Sequence, residues 1–99
     1  MMSSSYEIMT RAMNILDGPG SIQERLASAY RTEVQYVGPE GLDEKMLETL
    51  EMINDELTSV EAEGDKDSID MSTQMLSESD AQDLVNHIRG IYQYLSTHH

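Results

Sequence analysis

Residues 77–95 read SESDAQDLVNHIRGIYQYL, and this stretch predicts the best-defined helix of the chain. Its apolar residues recur one or three positions apart, so they form one continuous stripe on an α-helix. They are Ala81, Leu84, Val85, Ile88, Ile91, Tyr92 and Leu95. Ser77 and Asp80 have the spacing of a capping box at the helix N-terminus. We therefore expect the rest of the chain to pack around this stripe.

Three further helices are predicted where apolar residues recur at helical spacing. They cover about residues 5–16, 22–36 and 40–59. Ser4 with Glu7, and Ser21 with Glu24, have the Ser-x-x-Glu spacing of a capping box, so each pair predicts a helix N-terminus. Two segments, DGPG and GPEG, separate these helices, because proline cannot continue a helix and glycine favours its C-terminal cap.

These elements predict an all-α fold, in the form of a small antiparallel four-helix bundle. We assign residues 1–99 to a single acidic helical domain. Residues 61–76 form the longest connection, and a linker of this length without structure is unusual in a compact domain. A short helical turn capped by Ser68 is therefore predicted within it. Its anchors would be Ile69, Met71, Met75 and Leu76. Residues 96–99 are expected to fray.

The chain has few large apolar residues with which to build a core. Leu, Ile, Val and Phe together make up 20 of the 99 residues, and the net charge is −13. Eight Met and five Tyr add apolar surface, so we expect a folded chain with a thin core. A thin core favours assembly, and we expect a homodimer in which some core residues also serve the interface. The candidates are Tyr30, Val34, Ile91, Tyr92 and Leu95.

The negative charge is concentrated in the second part of the chain. Residues 1–37 hold four acidic and three basic side chains, whereas residues 38–99 hold 15 acidic and three basic ones. Such a field repels nucleic-acid phosphates and anionic membranes and attracts basic surfaces. We therefore expect a protein partner with a basic surface, and no direct binding of nucleic acid or membrane. The simpler alternative is that the acidic surface only keeps the protein in solution.

The third predicted helix carries the most crowded acidic residues. Glu44, Glu48, Glu51 and Asp55 follow one another at intervals of three or four residues, so like charges are neighbours on one face. Each such pair costs about 0.2–0.5 kcal/mol, and helix formation does not require it. We predict that these four carboxylates face the partner.

Catalytic and metal-binding patterns are not evident in the sequence. It contains no Cys, no Gly-x-Ser-x-Gly elbow and no glycine-rich phosphate loop. The acids at 61–70 do not have the spacing of an EF-hand loop, so a solvated acidic linker is favoured over a weak cation site. Asp83 and His87 could reach one metal ion, but a site needs three or more ligands, and an exposed pair is the better interpretation. We expect no enzymatic activity, metal or cofactor.

Two features of the predicted helices leave alternatives open. Gly90 interrupts the last helix at a cost of about 1 kcal/mol relative to Ala, which indicates either close approach of another helix or tolerance on a partly exposed face. The methionines at 9, 13, 46 and 52 either pack in the core, the favoured interpretation, or line an adaptable binding groove.

Two functions remain open at this point. The first is a small non-catalytic protein-interaction or regulatory module that binds a protein partner with a basic or mixed surface. The second is an acidic inhibitor that imitates nucleic acid, which needs a continuous ridge of acids from the third helix and residues 61–70. An interaction module instead needs an exposed apolar patch. Residues 1–11 lack a signal-peptide pattern and no apolar stretch approaches about 18 residues, so a cytoplasmic location is expected.

Overall fold

The computed structural model describes residues 4–98, apart from the side chain of His98, and within this range the regular elements are helices. The five α-helices of this range are α1 (Ser5–Leu16), α2 (Ile22–Thr32), α3 (Glu44–Leu57), α4 (Ser68–Gln74) and α5 (Glu78–His98). A 3₁₀ turn, Val34–Tyr36, follows α2. The all-α class is confirmed, with one more helix than the four predicted. Residues 1–3, which belong to the segment without a signal-peptide pattern, lie outside the described residues.

The second helix is shorter than predicted. The prediction extended it to Tyr36, but α2 ends at Thr32, and Glu33 leaves helical geometry with φ −132° and ψ −66°. The 3₁₀ turn then keeps Val34 and Val37 buried. The apolar spacing therefore continues past the true helix end, which is why it misled the prediction.

The third helix is also shorter than the predicted 40–59. Its N-cap is Asp43, whose side chain accepts a hydrogen bond from the Met46 backbone N–H at 2.9 Å. At the other end, the hydroxyl of Thr58 donates to the Asn54 carbonyl at 2.7 Å, and Ser59 donates to the Glu56 carbonyl at 3.0 Å. Side chains thus satisfy backbone groups at both ends, and these caps set the limits of the helix.

The predicted linker 61–76 contains α4, so the helical turn expected there is confirmed and exceeds one turn. Two details of the prediction were wrong. The N-cap is Asp67 rather than Ser68, because the Asp67 carboxylate accepts a hydrogen bond from the Asp70 N–H at 2.9 Å. Met75 is not an anchor, since 74% of its surface is exposed, whereas Ile69 is buried.

Hydroxyl groups attach the end of α3 to α4. Ser72, which is 2% exposed, accepts a hydrogen bond from the Val60 N–H at 3.0 Å. Ser68 donates to the Val60 carbonyl at 2.6 Å. Residues 61–67 are left as an exposed loop that is closed by backbone hydrogen bonds between Glu63 and Lys66.

The helix predicted over 77–95 is α5, and it lies at the centre of the fold with contacts to α1, α2 and α3. The Asp80 N–H donates to the Ser77 hydroxyl at 3.1 Å, which is one of the two hydrogen bonds of the predicted capping box. Ala81, Ile88 and Ile91 are fully buried. The helix continues to His98, beyond the predicted end at residue 95, whereas the fraying expected at 96–99 stays a prediction; His99 lies outside the described residues.

Close approach of another helix is not the reason for Gly90. A Cβ atom built at this position meets no heavy atom within 4 Å among the described residues, so the glycine faces open space. Of the alternatives that the sequence left open, a tolerated glycine on a partly exposed face is the correct one.

The residues expected to serve both core and subunit interface lie in the interior of the single chain. Tyr30, Val34, Ile91 and Leu95 are at most 6% exposed. Tyr92 is partly buried and stacks on Tyr6, with ring centroids 5.9 Å apart. These residues are therefore used within one chain, and the homodimer stays a prediction.

None of the helices in residues 4–98 combines the length and apolar character that crossing a bilayer requires.

Candidate protein-interaction surface

The four predicted site residues, Glu44, Glu48, Glu51 and Asp55, are all exposed on α3. At 100° per residue they fall within an arc of about 60°, and they extend about 17 Å along the helix axis. The buried Ile53 lies on the opposite face of the same helix. The structure thus brings the four carboxylates into one line, which we call the acidic stripe.

The acidic stripe is not neutralised within the chain. The ion pairs among the described side chains join Arg11 to Glu33 at 2.8 Å, Arg31 to Asp67 and Asp70 at 2.9 and 2.7 Å, and Arg89 to Asp17 at 3.8 Å. No described basic side chain lies within 4.0 Å of a stripe carboxylate, and Lys45 on the same helix makes no such pair. The charge of the stripe is therefore available to a partner.

A hydrogen bond from α2 reaches α3 beside the stripe, while α3 packs on α5 and α4. The Tyr30 hydroxyl donates to the Asn54 side-chain oxygen at 2.7 Å. Burial raises the pKa of Tyr30, and the nearby charge of Asp55 raises this pKa further. The buried face of α3, which includes Ile53, packs on α5 and α4, so the stripe lies on the outer face of the helix.

A groove of about 320 Å³ lies between α3 and α5. Its apolar residues are Met52, Leu76 and Leu84. Its polar residues are Glu56, Asp80, Asp83 and His87, and all four side chains are exposed. We call this feature the α3–α5 groove. Its three apolar residues form the floor, and its four polar residues form the rim.

The groove adjoins the acidic stripe along α3. Met52 lies four residues after Glu48 and three residues before Asp55, and such residues are neighbours on a helix surface. Glu56 follows Met52 one turn later. The stripe and the groove are therefore parts of one continuous acidic surface.

Sequence reasoning missed the groove as a site. It paired Asp83 with His87 on one helix, but the structure adds Glu56, from a helix that no local periodicity connects to them. The available signal was the i, i+3, i+7 spacing of Asp80, Asp83 and His87 on one face of α5. Within the described residues, no group of three His, Asp or Glu side chains is arranged to hold a metal ion.

The chemistry of this surface is that of hydrogen-bond acceptors around an apolar floor. Ionised carboxylates accept hydrogen bonds from the ammonium of Lys and the guanidinium of Arg. The floor can take up an apolar side chain, since Met52 and Leu76 are only partly buried.

Comparison of the chain with protein-family models, curated proteins and solved structures finds no match.

Proposed function

We propose that this protein is a small non-catalytic interaction or regulatory module that binds a protein partner with a basic surface. The observation that carries the proposal is the acidic stripe, whose four carboxylates are exposed, aligned and without an ion-pair partner among the described side chains. Like charges at this spacing oppose helix formation, so the stability of α3 does not account for them.

The proposed role of the stripe is to attract the partner and to orient its approach. Complementary charge raises association rates by about 10–10³-fold, and the gain falls as salt rises. Screening acts over about 10 Å at 0.1 M salt. A stripe that acts in this way produces an association rate that depends strongly on ionic strength.

The test compares association rates for the wild type and for a variant with a neutral stripe. The variant carries Glu44→Gln, Glu48→Gln, Glu51→Gln and Asp55→Asn. Partners are recovered from the native host by affinity purification, and stopped-flow kinetics then give the rate from low to high salt. We expect the wild-type rate to fall at least tenfold with salt, and the variant to bind slowly at every salt concentration.

A matched variant distinguishes the effect of the stripe on the association rate from the effect of net charge. It removes four charges from exposed residues outside α3 by Glu40→Gln, Glu61→Gln, Glu63→Gln and Asp65→Asn. We expect this variant to retain most of the wild-type rate. A flat salt response, or equal slowing by both variants, would reduce the stripe to a solubilising surface and refute the proposal.

The alternative function is inhibition of a nucleic-acid-binding protein by mimicry. The spacing of the stripe resembles that of a single nucleic-acid strand, which favours this alternative. The stripe has four charges over about 17 Å, and one DNA strand has about five phosphates over the same length. A duplex carries about ten. The alternative predicts that single-stranded DNA and the protein compete for the same partner, which a fluorescence competition assay measures.

We propose further that the helices pack as antiparallel pairs in a bundle. Two contacts support this for α1 and α2: Arg25 donates to the Leu16 carbonyl at 2.6 Å, and Arg11 pairs with Glu33. Near the start of α3, a Cβ atom built at Gly41 lies 3.7 Å from Leu95, at the far end of α5. A homodimer and a cytoplasmic location belong to the same proposal, and sedimentation and cell fractionation test them.

A further inference from the structure

We propose that the α3–α5 groove binds a cationic amphipathic helix of the partner protein. One apolar side chain of that helix enters the floor, and the Lys or Arg residues beside it pair with the rim. This inference rests on the proposed function, because it names the part of the basic partner that is recognised. It assigns recognition to the groove and leaves long-range attraction to the acidic stripe.

The floor provides apolar surface that the fold leaves incompletely covered. Leu84 is 5% exposed and forms the base, while Met52 and Leu76 remain partly exposed above it. Methionine has a flexible, polarisable side chain that adapts to different apolar partners. Burial of this surface contributes binding energy that charge alone does not supply.

The rim determines which partner fits the floor. Glu56 approaches from α3, while Asp80 and Asp83 approach from α5, so carboxylates flank the floor on both sides. Among the described side chains, none of the three lies within 4.0 Å of a basic group. A segment with Lys or Arg on both sides of an apolar residue matches this arrangement of charge.

The shape of the groove favours a helix over a small molecule. Its walls are two helices, and the lining of α5 from Asp80 to His87 extends about 10 Å, or two turns. Peptide helices bind in such grooves through apolar residues spaced at one and two turns. Small-molecule sites are enclosed and mostly apolar, whereas four of the seven residues lining this groove are titratable.

A second copy of the chain does not have the charge to occupy the groove. Each copy carries a net charge of −13, and the excess lies in residues 38–99, which include both walls. Like-charge contacts of this kind oppose association. A basic helix from a different protein is the occupant that complements the rim.

The test uses two synthetic peptides as probes. The first is a helix of about 15 residues made of Lys and Leu, with Leu at i, i+3, i+4 and i+7. The second has Gln in place of every Leu and the same charge. Fluorescence anisotropy at 0.1 M salt measures the dissociation constants. We expect the Leu peptide to bind the wild type at least tenfold more tightly than the Gln peptide.

Three protein variants locate the binding site. The rim variant carries Glu56→Gln, Asp80→Asn and Asp83→Asn, and its matched control carries Glu61→Gln, Glu63→Gln and Asp65→Asn. We expect the rim variant to bind the Leu peptide about tenfold more weakly, because three exposed ion pairs are lost. Met52→Gln in the floor should weaken the Leu peptide and leave the Gln peptide unchanged. The matched control should bind like the wild type.

Two controls separate a loss of binding from a loss of folding. Circular dichroism measures the helix content of each variant. A double variant, Glu56→Gln with Asp83→Asn, leaves Asp80 at the N-terminus of α5 unchanged, and it should still bind the Leu peptide about fivefold more weakly. Equal binding of both peptides, or an unchanged affinity in the rim and floor variants, would overturn the inference. So would a Met52→Gln variant that changes self-association instead of peptide binding.

The stripe variant makes the two proposals distinguishable. If neutralising the stripe slows association while the rim and floor variants bind the Leu peptide like the wild type, the proposed function stands and the groove inference fails. If the rim and floor variants weaken binding while the stripe variant associates as fast as the wild type, the groove is the site and the role of the stripe is refuted.

Discussion

Gly90 is a position at which an added Cβ atom should stabilise the folded protein. It lies within α5, and a Cβ atom at this position meets no described heavy atom within 4 Å. Glycine within a helix destabilises by about 0.5–1 kcal/mol relative to Ala, because it loses more backbone freedom on folding. We expect Gly90→Ala to raise the free energy of unfolding by about this amount, as measured by urea denaturation and circular dichroism.

Gly41 provides the matched control for this substitution. Its φ of +80° lies in the left-handed region, where an L-residue with a side chain is strained by about 1–2 kcal/mol. Gly41→Ala should therefore lower the free energy of unfolding. If Gly90→Ala were destabilising as well, the open space beside α5 would not exist in solution.

Among the elements, α2 contributes to the position of α4 through an ion pair from Arg31. The Arg31 guanidinium bonds to Asp67, the N-cap of α4, and to Asp70 in its first turn. The hydrogen bonds from Arg31 to Asp67, together with one from the Asp70 backbone N–H, hold the pKa of Asp67 below its ordinary value of 3.8. The Asp67 charge therefore favours the folded state at pH values above 3.8, and this contribution is lost as the pH falls through the lowered pKa.

Asp67→Asn isolates this contribution, because Asn keeps the N-cap hydrogen bond and removes the charge. We expect the variant to be less stable than the wild type at pH 6, and the difference to shrink as the pH falls below 3.8 toward the lowered pKa. Urea denaturation of both proteins at pH 6 and pH 2.5 measures it. A difference of the same size at both pH values would mean that the ion pair with Arg31 is not its source.

At the scale of the whole molecule, net charge and assembly act against each other. Two copies that each carry −13 repel one another, and salt screens this repulsion. The core residues expected at a dimer interface are buried within one chain, so an interface must use other surface, such as Tyr36, which is 67% exposed.

Sedimentation equilibrium tests the homodimer. We expect a mass of about twice the chain mass of 11.2 kDa at micromolar concentration, and a dimer that is tighter at 0.5 M than at 0.05 M salt. A monomer at both salt concentrations would reject the dimer and leave the protein as a single-chain binding module.

Local patterns predicted the features that depend on neighbouring residues. The capping box of Ser4 and Glu7 has both of its hydrogen bonds, at 3.2 and 3.3 Å, and the Ser21 side chain accepts from the Glu24 N–H at 3.1 Å. Six of the seven residues in the apolar stripe of α5 are buried as its spacing indicated, and Tyr92 is partly buried. These predictions succeed because a cap or a helical face is formed by residues three or four positions apart.

Helical periodicity is enough to predict the all-α class, the central helix and the alignment of Glu44, Glu48, Glu51 and Asp55. The position of α4, the exposure of Met75 and the approach of Glu56 to Asp80 and Asp83 across a groove arise from tertiary packing. The physical reason is that packing joins residues far apart in the chain. How two helix faces meet depends on side-chain volumes and crossing geometry, which the periodicity of one helix does not contain.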